Sequence, residues 1–180
     1  MRRFPPTLLL LGTLIVVPAL QGCSTSSGEA RGKLSCPATF VAPSLDAYRQ
    51  FRPSGTNNVE DIQFGVRLTS VRSTCHAEEK GIRVDTRMVF QAVRNDPDFR
   101  QGDFTYFVAI ADAKQTILTK RIFALRIDFE PRQKQVRVID EITEHLPVRD
   151  LTTGRSYAVI VGLQLSKQQL DLNRSQAPAQ

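Results

Sequence analysis

Ile62-Gln63-Phe64-Gly65-Val66-Arg67-Leu68-Thr69 alternates apolar with polar or small residues. That is the period of a strand with one face in a core and the other in water. Ile62, Phe64, Val66 and Leu68 point one way; Gln63, Arg67 and Thr69 point the other. At Ser70 the phase slips and Val71 and Cys75 take over, which predicts a bulge or a strand end. Working outward, the same alternation recurs in Ile82, Val84, Met88, Phe90 and Ala92, set against Arg83, Asp85, Arg87 and Gln91. Phe104 to Ala111 is apolar on both faces, as a central strand would be. Phe123, Leu125, Ile127 and Phe129 share one parity, and so do Val136, Val138, Ile142 and Leu146. Tyr157 to Leu165 is the last such run, and Thr39 to Val41 a short first one. The intervening segments, such as Asn95-Asp96-Pro97-Asp98, are turn chemistry and too short for crossover helices. The expectation is an all-β domain over residues 36–174: seven antiparallel strands in an immunoglobulin-like or fibronectin-like β-sandwich, with a small barrel as the alternative. Ser166-Lys167-Gln168-Gln169 has the spacing of a capping box and predicts a short C-terminal helix. Residues 175–180 read as a disordered tail.

The N-terminus is of another kind. Arg2 and Arg3 precede an apolar run, Leu8 to Val17, that Pro18 ends. The run is well short of the roughly 20 residues a spanning helix needs, and reads as a secretory signal. Leu20-Gln21-Gly22-Cys23 resembles the lipobox of bacterial lipoproteins. The resemblance implies cleavage after residue 22 and a diacylglyceryl thioether on Cys23, with palmitate or another acyl chain on the new amine. The alternative is an ordinary signal peptide with a chance cysteine. Two or three acyl chains anchor a protein stably where one would be marginal. Ser24 stands where enteric sorting places Asp for inner-membrane retention, so an outer-membrane location facing the periplasm is expected. Residues 23–35, small and polar, read as a lipidated flexible tether with a reach of about 20 Å.

The chain has three cysteines in 180 residues. With Cys23 given to lipid, Cys36 and Cys75 remain, in an oxidising compartment. A disulfide between them would close a loop of about 40 residues and contribute roughly 4 kcal/mol on the chain-entropy model; two separate thiols are the alternative. No C-x-x-C motif supports a redox role. The cysteine frame, Tyr106-Phe107-Val108-Ala109 and Val161-Gly162-Leu163-Gln164-Leu165 resemble a family of small uncharacterised proteobacterial lipoproteins. The resemblance spans nearly the whole mature chain and brings no activity with it.

The composition, 41% hydrophobic and 23% charged, is that of an ordinary globular protein. The net charge of +6 is modest and cleavage would remove Arg2 and Arg3 from it, which with export argues against nucleic acid. Two histidines and three cysteines leave little for a metal centre, and no cofactor or metal is expected. His76 and His145 read as solvated. No G-x-S-x-G, H-E-x-x-H or phosphate-binding glycine loop occurs. Asp140, Glu141 and Glu144 crowd one strand, but alternation separates Glu141 from the other two. No catalytic residue is assigned. The sequence therefore points to a non-catalytic envelope module, held to the membrane through Cys23. The alternative is an envelope enzyme or small-ligand carrier whose site forms no motif. Strand arginines such as Arg83, Arg87 and Arg126 are the candidate binding surface, for an envelope protein, the cell wall or anionic lipid. The alternative reading is that they serve solubility and edge protection.

Overall fold

The computed structural model describes residues 32–53 and 58–176. The signal segment 1–22, Cys23 with most of the tether, and residues 177–180 lie outside the described residues. The chain forms two four-stranded sheets and one short helix, in the order β1 (Ala38–Val41), β2 (Ala47–Phe51), β3 (Ile62–Glu78), β4 (Gly81–Arg94), β5 (Gln101–Ala111), β6 (Ile117–Asp128), β7 (Gln135–Leu146), β8 (Ala158–Leu163) and α1 (Lys167–Gln176). One sheet runs β1-β8-β5-β6, the other β2-β3-β4-β7. Short 3-10 turns precede β3 and β8.

Alternation builds both sheets. Ile82, Val84, Met88, Phe90 and Ala92 are all at most 1% exposed, and Thr86 shares their inward parity. They meet Phe104, Tyr106, Val108, Ile127, Val159, Val161 and Leu163 from the other sheet in one core cluster. Phe90 sits between the sheets, its ring centroid 5.1 Å from both Phe104 and Tyr106. The slip at Ser70 is a bulge: the β3–β4 register jumps between Leu68 and Ser70, and Thr69 turns its hydroxyl to the Val89 carbonyl. β5 is central, between β8 and β6.

The β3–β4 hairpin turns through Glu79 and Lys80, with Glu78 opposite Gly81. Gly81 has φ +142°, and a Cβ there would fall 2.0 Å from the Leu146 carbonyl oxygen. Only glycine suits a backbone both so placed and so crowded.

Two expectations are corrected. The strands number eight, not seven, because Ala47–Phe51 pairs antiparallel with β3. It lies in a stretch broken by Pro43, Ser44 and Pro53, whose turn chemistry hides a five-residue edge strand. Nor are all pairs antiparallel: β1 runs parallel to β8, Ala38 beside Ala158 and Val41 beside Val161. A chain segment that precedes the domain and pairs with its last strand has no hairpin to fix its direction.

Cys36, just before β1, is bonded to Cys75 on β3, with Cα atoms 5.7 Å apart. The bridge ties the start of the domain to the inward side of β3, where Cys75 packs against the core.

The capping box forms in both directions. The Ser166 N–H donates to Gln169 Oε1 and the Gln169 N–H to Ser166 Oγ, each at 3.2 Å. Asn173, 9% exposed, docks the helix on β2: its Nδ2 donates to the carbonyls of Ser44 and Ala47, and its Oδ1 accepts from Arg49. Ser175 and Gln176, expected in the tail, complete α1.

Candidate functional site

The outer face of the β2-β3-β4-β7 sheet collects arginine. Strand alternation places Arg49, Arg67, Arg72, Arg83, Arg87 and Arg137 there, since their neighbours in sequence point into the core. The register arranges them in rows. Arg67 lies beside Gln91 and Gln91 beside Arg137; Arg72 lies beside Arg87 and Arg87 beside Glu141. Val93 and Ile139, 40% and 42% exposed, lie among them.

The charges are unevenly matched. Arg67 pairs with Asp46 at 3.0 Å, Arg83 with Asp85 at 3.2 Å, and Arg87 with Glu141. Arg49 donates to the neutral amides of Asn173 and Gln176, so its hydrogen bonds are met but its charge is not. Arg72 and Arg137 have no carboxylate partner among the described residues. Like charges directly opposite on paired strands repel, so Arg72 beside Arg87 is an arrangement that an anion would relieve. A cleft of about 280 Å³ opens where Gly65 leaves space between Arg49, Arg67, Gln91 and Val93.

The three arginines singled out from sequence do not share this face. Arg83 and Arg87 belong to it. Arg126 is on β6, on the outside of the other sheet, where it binds Asp103 at 2.9 Å. That hydrogen bond, together with the carboxylate's charge, raises its pKa above the ordinary guanidinium value. A single surface through all three is excluded by the topology.

His76 and His145 are exposed on the arginine face, near Asp85 at 3.8 Å and Glu78 at 3.1 Å. Asp140 and Glu144 point the other way, to the seam between the sheets. There the Tyr106 hydroxyl donates to Asp140 Oδ2 at 2.6 Å, and Arg121 reaches Glu144 at 3.1 Å. The Phe123 ring stacks on Tyr106 at 5.1 Å and lies 5.0 Å from the Arg121 guanidinium. Burial first, and then the bond to Asp140, push the Tyr106 phenol well above its usual value. Sequence reading passed over this seam, although Asp140 and Glu144 share the parity of Val138 and Leu146, the available signal. Its polar groups are matched to one another between β7 and the β5–β6 pair, an arrangement suited to closing the core. Among the described residues no group of three or more His, Cys, Asp or Glu is placed to hold a metal ion.

No family model matches the chain, and no curated protein does. Among solved structures it is similar to a DUF1425 family member from Shewanella sp. pv-4. The two are 14% identical over 67% of this chain and 99% of that one, with a TM-score of 0.29. That neighbour is bacterial and its family is named as one of unknown function; a likeness at this level carries no argument about activity.

Proposed function

We propose that the chain is a bacterial envelope lipoprotein, anchored through Cys23 in the outer membrane and facing the periplasm, that acts by binding an anionic partner rather than by catalysis. The single observation that carries the binding reading is the arginine face, on which Arg49, Arg72 and Arg137 have no carboxylate partner among the described residues. Arginine suits this role because its guanidinium is always charged and meets carboxylate or phosphate with two parallel bonds. The partner is an acidic envelope protein or cell-wall polymer, drawn in by charge and fixed by the apolar contacts of Val93 and Ile139. The envelope location is supported by the lipobox resemblance of Leu20 to Cys23, and by the Cys36–Cys75 bridge, which suits an oxidising compartment. The fold we read as an immunoglobulin-like β-sandwich. This is supported by the way β3-β4-β7 and β6-β5-β8 interleave as the chain crosses between sheets.

The test is crosslinking in intact cells from a photoreactive residue at position 139. An envelope protein or cell-wall polymer should be captured there and not from position 105 on the opposite sheet. Arg72→Glu with Arg137→Glu should reduce the yield severalfold. Capture that ignores both the position and the charge reversal would refute the assignment.

A further inference from the structure

We propose that the outside of the β1-β8-β5-β6 sheet, together with the tip of the β5–β6 hairpin, rests on an anionic lipid surface. In water-exposed sheets the outward parity is ordinarily polar. Here the outward residues include Phe40, Phe107, Ile122 and Ile160, with Leu118 at the edge. Phe40 is 44% exposed, Leu118 51% and Ile122 58%, and Ile117 on the other side of β6 is 51% exposed. A run of exposed aliphatics on one edge strand is what marks an interaction surface rather than scattered surface residues.

Charge identifies the occupant. On this face the half nearest the hairpin carries Lys114 and Lys120, whereas Asp103 and Asp128 lie beside Arg126 at the far end and Arg121 turns to Glu144 at the seam. Asp112, at the start of the turn, is used by the turn itself, accepting from the Lys114 and Thr116 N–H groups. Lys120 holds its ammonium 4.3 Å from the centroid of the Phe107 ring, directly among the apolar residues. Aliphatic side chains interspersed with lysine and arginine match the boundary between headgroups and acyl chains, where the former insert and the latter meet phosphate. A second copy of the hairpin half would bring the same two lysines and, apart from Asp112 in the turn, no carboxylate, so it complements the patch poorly. The inference does not depend on the arginine face, which is on the opposite side of the other sheet.

The chain has no tryptophan, so a single one reports its own position. Full-length Ile122→Trp should show a blue shift and lose acrylamide quenching when vesicles containing phosphatidylglycerol are added. Vesicles of phosphatidylcholine alone should leave its spectrum unchanged, as should either vesicle with Ile139→Trp. Adding Lys114→Glu and Lys120→Glu should abolish the shift. Both tryptophan sites are exposed, and matched thermal melts confirm that each variant is folded. No shift at position 122, an equal shift at position 139, or one that needs protein concentration but no vesicles would overturn the proposal; the last would assign the face to a second copy.

Discussion

Phe90 and Arg87, three residues apart on β4, have opposite consequences because alternation sends one inward and the other out. Phe90 is fully buried between two aromatic rings, so Phe90→Ala should lower stability by about 3–5 kcal/mol. Arg87 shares an exposed ion pair with Glu141, and Arg87→Ala should cost about 1 kcal/mol at most. Chemical denaturation of the two variants measures both. Tyr106 is the residue with a distinctive titration. Its raised pKa means that its contribution to stability is fully present below the unfolded phenol's value of about 10 and is lost as pH climbs towards the folded one. Alkaline absorbance titration should therefore show a tyrosine that ionises only as the fold is lost. In Tyr106→Phe that delayed step should disappear, and loss of the phenol's bond to Asp140, which keeps the Glu141 N–H, should cost about 1 kcal/mol.

At the scale of elements, the hairpin at Gly81 and the docking of α1 are the exacting features. Gly81→Ala should destabilise by about 2 kcal/mol or more, since its positive φ and the Leu146 carbonyl both resist a side chain. Asn173→Ala should release α1 without unfolding the sheets, because its amide makes the main buried attachments of the helix to β2. Hydrogen exchange should then speed up in residues 167–176 and little elsewhere. The longer strands were legible because each carries enough alternation to set its phase: the slip at Ser70 and the apolar centre at Phe104 to Ala111 both have direct counterparts. β2 was not legible, since five residues among prolines carry too little pattern and its place depends on pairing with β3. The capping box at Ser166 was readable as spacing, but its helix is held by Asn173, whose burial depends on carbonyls more than 120 positions away.

Across the whole molecule, parity told which residues leave the core but not which sheet they leave from. That is why Arg83 and Arg87 fall together and Arg126 apart. It is also why Arg49, Arg72 and Arg137 emerged as a group only once β2, β3, β4 and β7 were neighbours. The Cys36–Cys75 bridge joins elements of both sheets. Mass spectrometry of unreduced peptides should find these two joined, and reduction should lower stability by roughly 4 kcal/mol on the loop-entropy model. The central claim is that the arginine face, and not the net charge, binds an acidic polymer. Elution from immobilised polyglutamate tests it most directly, comparing Arg72→Glu/Arg137→Glu with Lys114→Glu/Lys120→Glu, two variants of equal net charge. The account predicts that the arginine pair elutes at clearly lower salt than wild type, and the lysine pair close to it. Equal displacement of the two variants would contradict it.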